Sequence, residues 1–203
     1  MDATKSARGE KRPLILKAAT RIFCERGFAA VRVADIAEAA GIGKGTVYEY
    51  FSSKDELLFA VFEWINEDIS RRIQDLLDRG GTTLERLQRL LDLGAEVTRE
   101  QVEMQAVILD FWAASRGTKI EERYNLACRD SFRTYRRLLA DVIRDGQATG
   151  ELRPDVDPDE VATMLVAAMD GLGVQAFFDR DIDPRRVVEH FGGVLLAGLE
   201  AVR

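Results

Sequence analysis

The sequence predicts an all-α protein of about nine helices: a small N-terminal three-helix unit carrying a helix-turn-helix, then a larger helical body. Three observations carry this. Apolar residues recur at three- and four-residue spacings along most of the chain, the period of a helix with one buried face. Glycine and proline punctuate these runs at Gly27, Gly41, Gly43, Gly80, Gly81, Gly117, Gly150, Pro154 and Pro184. No stretch shows the two-residue alternation of a strand, and no internal repeat is visible.

The elements follow in order. Residues 1–10 are polar and charged and read as a disordered tail. A helix over about 12–26 aligns Leu14, Ile15, Ala18, Ala19, Ile22 and Phe23 on one face. Pro13 falls in its first turn, where a missing N–H is harmless, and Gly27 suits its C-cap. Short helices over 33–40 and 44–51 flank the turn Gly41-Ile42-Gly43. Ile36, Ala37 or Ala40, Ile42, Val47 and Phe51 are their inward residues. Ser53 then caps a long helix over 54–79, with Glu56 completing a capping box. Further helices are expected over 83–97, 101–116, 119–148, 158–179 and 184–202. The domains expected are a head over 11–54 and a body over 55–203.

Composition narrows the class. Of the 203 residues, 46% are hydrophobic and 32% charged, a globular balance with enough length for a sizeable core. Cys24 and Cys128 are far apart and lack metal-ligand spacing, so neither zinc nor a disulfide framework is indicated. No cofactor motif is present. No apolar run follows the start, as a signal peptide would require, and a reducing cytoplasm fits. The longest apolar stretch, 161–178, is interrupted by Thr163, Asp170 and Gln175 and reads as a buried helix, not a membrane span.

Net charge is −6, but unevenly placed. Residues 1–54 hold ten Lys/Arg against six Asp/Glu, and the remainder 19 against 29. A basic head on an acidic body points to a polyanion met by the head alone. The segment VADIAEAAGIGKGTVYEYFSSKD, residues 33–55, fits such a reader. With Val47 and Phe51 facing inward, Lys44, Gly45, Thr46, Tyr48, Glu49 and Tyr50 face solvent. Lys44 can reach guanine or phosphate, Gly45 allows close approach to a groove, and Thr46, Tyr48 and Tyr50 suit phosphate oxygens. Arg32 can reach a phosphate or base edge, and Lys54 sits at a helix N-terminus that attracts anions. Glu49 fits a solvated structural face better than a DNA surface.

Residues 11–58 resemble the N-terminal domain of the TetR family of bacterial transcription regulators. The resemblance rests on Arg26-Gly27-Phe28, Asp35-Ile36-Ala37, Ala40-Gly41-Ile42, the run Lys44-Gly45-Thr46-Val47-Tyr48, Tyr50-Phe51 and Ser53-Lys54. It implies groove contacts from Lys44, Gly45, Thr46 and Tyr48, and phosphate contacts from Tyr50 and Lys54. Four positions depart from the family pattern: Arg32 where Thr or Ser often caps, Ala34 where Arg is common, Gly43 where Ser often caps, and Glu49 where a neutral residue is usual. These departures bear on the operator sequence.

The family layout implies a small-molecule pocket in the body and a homodimer through the last two helices. Candidate pocket residues are the aromatics Trp64, Phe111, Trp112, Phe132, Tyr135, Phe177 and Phe178, with Asp110 and Asp170 interrupting apolar runs. Such carboxylates, if buried, need a cationic ligand or an arginine. Candidate interface residues are Met164, Ala168, Val188, Phe191, Leu195 and Leu199; a monomer core is the plainer reading of the same residues. A dimer would present two recognition helices to an inverted-repeat operator in double-stranded DNA. The long fourth helix is the expected lever between pocket and head.

The favoured reading is thus a ligand-responsive repressor released from DNA by a small hydrophobic or aromatic effector. An activator of the same fold, a redox sensor using Cys24, and a helical scaffold without DNA affinity are the alternatives. No nucleophile elbow, HExxH or phosphate-cradling glycine loop supports an enzyme.

Overall fold

The computed structural model describes residues 3–117 and 119–201, apart from the side chains of residues 3–10, 110, 114 and 119. Among the described residues there are nine helices and no strand: α1 (Ala3–Arg26), α2 (Val33–Ala39), α3 (Lys44–Tyr50), α4 (Lys54–Leu77), α5 (Thr83–Gln101), α6 (Met104–Ser115), α7 (Lys119–Thr149), α8 (Pro158–Phe178) and α9 (Pro184–Leu199). One isolated antiparallel bridge joins Leu152 to Glu200.

Two differences from the expected elements concern α1. It starts at Ala3, so Pro13 lies inside it and not in its first turn. Ala, Lys, Arg and Glu, all good helix formers, dominate the residues before Pro13. Leu14 is exposed, because it falls roughly 125° from the centre of the stripe set by Ile15, Ala19, Ile22 and Phe23.

Packing divides the chain into two units, Met1–Glu67 with Ala106–Ala127, and Asp68–Gln105 with Cys128–Arg203. This is not the 54/55 boundary read from sequence. The head leans on the start of α4, as so small a three-helix unit requires, and also takes in most of α6 and the start of α7. The Ser53 hydroxyl accepts from the Glu56 N–H at 3.1 Å, fixing where α4 begins.

In the second unit α5 is the central helix. Thr82 accepts from Glu85 N–H in a capping box, and the Glu151 carboxylate accepts from Thr83 N–H at 2.7 Å. One face of α5 packs Leu87 and Leu90 with Val142, Ile143, Leu152 and Leu199. The other packs Leu91 and Ala95 with Leu165, Leu172 and Val188. Helices α8 and α9 each start with an Asp cap followed by Pro, Asp157-Pro158 and Asp183-Pro184.

Helix α8 is long and apolar enough to cross a membrane by length and composition, yet only 28% of its most apolar window is buried. The remainder is half-buried or exposed on the protomer.

Candidate nucleic-acid interface and ligand cavity

The turn between α2 and α3 is built by backbone chemistry. Gly41 N–H donates to the Glu38 carbonyl and Ile42 N–H to the Ala37 carbonyl, both at 3.0 Å. Gly41 has φ 68°, so this is a glycine-dependent Schellman turn, and it aims α3 relative to α2. Val47 is buried, anchoring α3 from within. Lys44, Gly45, Tyr48 and Glu49 are exposed, and Thr46 and Tyr50 are half-buried. The Lys44 ammonium lies 5.7 Å from the Tyr48 ring centroid, placing both on one face. Neither Arg32 nor Gly43 caps its helix with its own side chain, though at α2 the Asp35 carboxylate accepts from the Arg32 N–H.

A Cβ built on Gly45 meets nothing within 4 Å. The fold therefore does not demand glycine here, although glycine weakens a helix by about 1 kcal/mol relative to alanine.

Arg32 is exposed and pairs with Asp35 at 3.3 Å. Asp35 also accepts from the Arg32 N–H at 2.8 Å, and this backbone bond is the main cause holding its carboxyl below the usual range. The surface pair is weak enough to exchange for a phosphate.

Lys54, expected at a phosphate, is engaged within the protein. Its ammonium donates to the carbonyls of Phe28 at 2.8 Å and Val31 at 3.0 Å, and stands 4.3 Å from the Phe28 ring centroid. It ties the α1–α2 loop to the start of α4 instead of facing outward. Phe28 in turn meets Phe111 of α6 edge-on, with centroids 6.1 Å apart, and Phe111 meets Tyr124 of α7 at 5.0 Å.

Of the residues expected at the pocket, Phe111 is the one in that chain. Phe111 is only 3% exposed and belongs to the packed interior of the first unit. Trp112, one residue on, turns the other way and is 53% exposed. Trp64 is half-buried in the first unit, whereas Phe132, Tyr135, Asp170 and Phe177 are in the second. Asp110 lies outside the residues whose side chains are described. Phe178 is 74% exposed.

An apolar cavity of about 70 Å³ does exist in the second unit, lined by Ile69 and Ile73 of α4, Leu90, Leu93 and Gly94 of α5, and Tyr135, Leu138 and Leu139 of α7. Tyr135 is the sequence-predicted residue found there. The aliphatic lining was missed because it is indistinguishable from ordinary core in sequence. Gly94, in the middle of an apolar helix stripe, was the available signal: a Cβ there would stand 3.2 Å from the Met169 sulfur. The Tyr135 phenol is pushed up to about 12, chiefly by burial, with Asp170 adding to the shift.

Asp170 is solvent-accessible, yet the protein packed around its carboxyl raises it from 3.8 to about 6. Among the described residues it has no ion pair. Its stabilising contribution is fully present below 3.8 and is lost as the pH rises through about 6, because there the native state binds the proton more tightly than the unfolded chain. Asp170→Asn should therefore gain in relative melting temperature from about pH 4 to about pH 7. Thermal melts of both proteins across that range test this; a constant difference would refute it.

The expected interface residues also separate. Val188 and Leu199 are buried in the protomer and cannot form an interface; both face α5, closing its two core faces. Leu195 is half-buried. Met164 and Phe191 are exposed, as is Ala168. They are joined by Val174 and Phe178 of α8 and by Val187 and Val194 of α9, the last 74% exposed. Such a concentration of open apolar side chains on two helices is what a protein interface requires.

The three-helix head, its glycine turn and the polar outer face of α3 define a helix-turn-helix transcriptional regulator that binds DNA. Residues 15–61 match the profile of the bacterial regulatory proteins of the tetR family, and residues 83–198 that of the BetI-type transcriptional repressor C-terminal domain. The chain belongs to the TetR family, whose members bind DNA operators, dimerise and respond to small molecules. It is 32% identical over 161 residues to the transcriptional repressor KstR2 of Mycobacterium tuberculosis, covering 79% of this chain and 78% of that one. It is 30% identical over 179 residues to the regulator TtgR of Pseudomonas putida, covering 83% and 81%. A putative transcriptional regulator from Saccharomonospora viridis, solved in complex with choline, superposes with TM-score 0.76 at 29% identity, covering 96% of this chain and 100% of that one.

Proposed function

We propose that the protein is a homodimeric repressor that occupies an inverted-repeat operator in the cytoplasm and leaves it on binding a small molecule. The observation that supports the operator reading is the exposed face of α3, where Lys44 and Tyr48 share one side and Gly45 leaves space that nothing in the fold fills. Lys44, Thr46 and Tyr48 beside it supply groove contacts, and Arg32 and Tyr50 phosphate contacts. The apolar face of α8 and α9 seats the second copy, and two-fold pairing sets the half-site spacing.

The effector enters at the cavity beside Tyr135, which at about 70 Å³ must widen to take a small molecule. Its lining favours an apolar group, and the unpaired Asp170 near the phenol favours a positive charge on the same molecule. Effector binding shifts the protein only as far as it prefers the DNA-incompetent conformer. Glu49 on the DNA side supports the scaffold reading, so the test must be able to return it.

Duplexes retained from a random pool at near-physiological salt should be enriched in an inverted repeat. Lys44→Ala should abolish the enrichment, and Val194→Glu should leave a monomer by light scattering with the same loss. No enrichment at any salt concentration, with a folded dimer in hand, would favour the scaffold.

A further inference from the structure

The second unit carries a concave surface that neither the operator nor the effector reading uses. A groove of about 900 Å³ runs between the C-terminal half of α4, α5 and the start of α9. It is distinct in composition from the cavity at Tyr135, being lined by five arginines, Arg72, Arg79, Arg89, Arg99 and Arg185. On α9, Val187 and Val194 fall roughly 160–180° around the helix from Arg185. A second copy on the apolar face therefore leaves the groove open.

The charges within it are unequally spent. Arg72 is held by Glu96 at 3.1 Å and Glu100 at 2.8 Å. Asp92 accepts from the Gln88 amide at 2.9 Å. The guanidiniums of Arg79, Arg99 and Arg185 pair with no carboxylate among the described residues, and neither Asp75 nor Glu189 has an ion pair there. Arg89 donates through Nη2 to the Gly80 carbonyl, but its Nε is buried without an acceptor. Burying such a donor is costly, and arginine cannot shed its proton to escape the cost. Three arginines without a carboxylate partner thus stand against two such acids, Asp75 and Glu189.

We propose that this groove is a ligand site for a hydroxylated organic phosphate, in the class of a sugar phosphate. Arginine forks match phosphate oxygens two at a time. Asp75 and Glu189 provide acceptors for hydroxyls on the same molecule, which a bare anion would not use. The volume falls in the range of small-molecule sites, about 300–1,000 Å³. Neither DNA binding nor the Tyr135 cavity is needed for it.

The test is calorimetric titration of the full chain with ribose 5-phosphate at fixed ionic strength, with ribose and inorganic phosphate titrated separately. Ribose 5-phosphate should bind saturably and more tightly than either. Arg99→Gln and Arg185→Gln, both on exposed side chains, should each weaken it about tenfold or more, while Arg133→Gln on α7 should not. Melting curves confirm that the variants are folded. Heats no larger than those of potassium chloride would overturn the site, as would equal weakening by Arg133→Gln. Inorganic phosphate binding as tightly as ribose 5-phosphate would overturn the sugar-phosphate class.

Discussion

Replacing Phe111 with alanine is expected to lower the unfolding free energy by about 3–5 kcal/mol, the usual cost of truncating a buried aromatic. The ring is almost fully enclosed and has edge contacts on both sides, with Phe28 at 6.1 Å and Tyr124 at 5.0 Å. Tyr124 also meets Phe62 of α4 at 5.1 Å, so a chain of four rings links α6, α7 and α4 to the α1–α2 loop. The cavity left behind should loosen that loop first. Denaturant unfolding gives the energy, and amide exchange at residues 28–31 gives the location. A loss below about 1 kcal/mol would mean that Phe111 is not the packed centre of this unit. Phe111→Leu, which retains most of the volume, should recover a large part of the stability and separates a packing role from a ligand role. A pocket residue would instead change effector response while stability held.

Lys54→Met distinguishes the two roles open to Lys54. Methionine keeps the length of the stem and removes the ammonium. With the ammonium donating to Phe28 and Val31, the variant should lose roughly 1.5–3 kcal/mol, the range for hydrogen bonds made by a charged group. Its slope of log affinity against log salt should match that of the parent. A phosphate-binding lysine behaves in the opposite way, with stability unchanged and the salt slope reduced by about 1. Lys44→Ala provides a comparison within the same protein, with stability unchanged and affinity lowered, because Lys44 is exposed on α3. If Lys54→Met showed the Lys44 pattern, the clamp between loop and α4 would be refuted.

The head was legible in sequence because its determinants are local. Gly41 closes its turn through its own backbone and Val47 sits at a helical repeat of inward residues. Ser53 caps the helix that Glu56 enters. Each works within a span of a few residues, so composition and spacing suffice to place it. The nine helices were legible for the same reason, with the Pro158 and Pro184 starts preceded by aspartate caps.

Sequence could not say which apolar residues meet a partner. Val188 and Val194 are six residues apart on one apolar helix. One is sealed against α5 and the other is open to solvent, because α5 passes on only one side of α9. Phe111 and Trp112 are neighbours in an equally apolar run and part in the same way. The ammonium of Lys54 finds carbonyls 23 and 26 residues earlier, which no local pattern announces. By itself the sequence determined the helices, the turn and the chemistry offered on α3, since these depend on near neighbours along the chain. Only the tertiary structure decided the lining of the cavity, the apolar face of α8 and α9, and the carbonyl partners of Lys54. Burial is a property of what distant segments bring alongside a residue, and it differs for identical side chains on opposite sides of one helix.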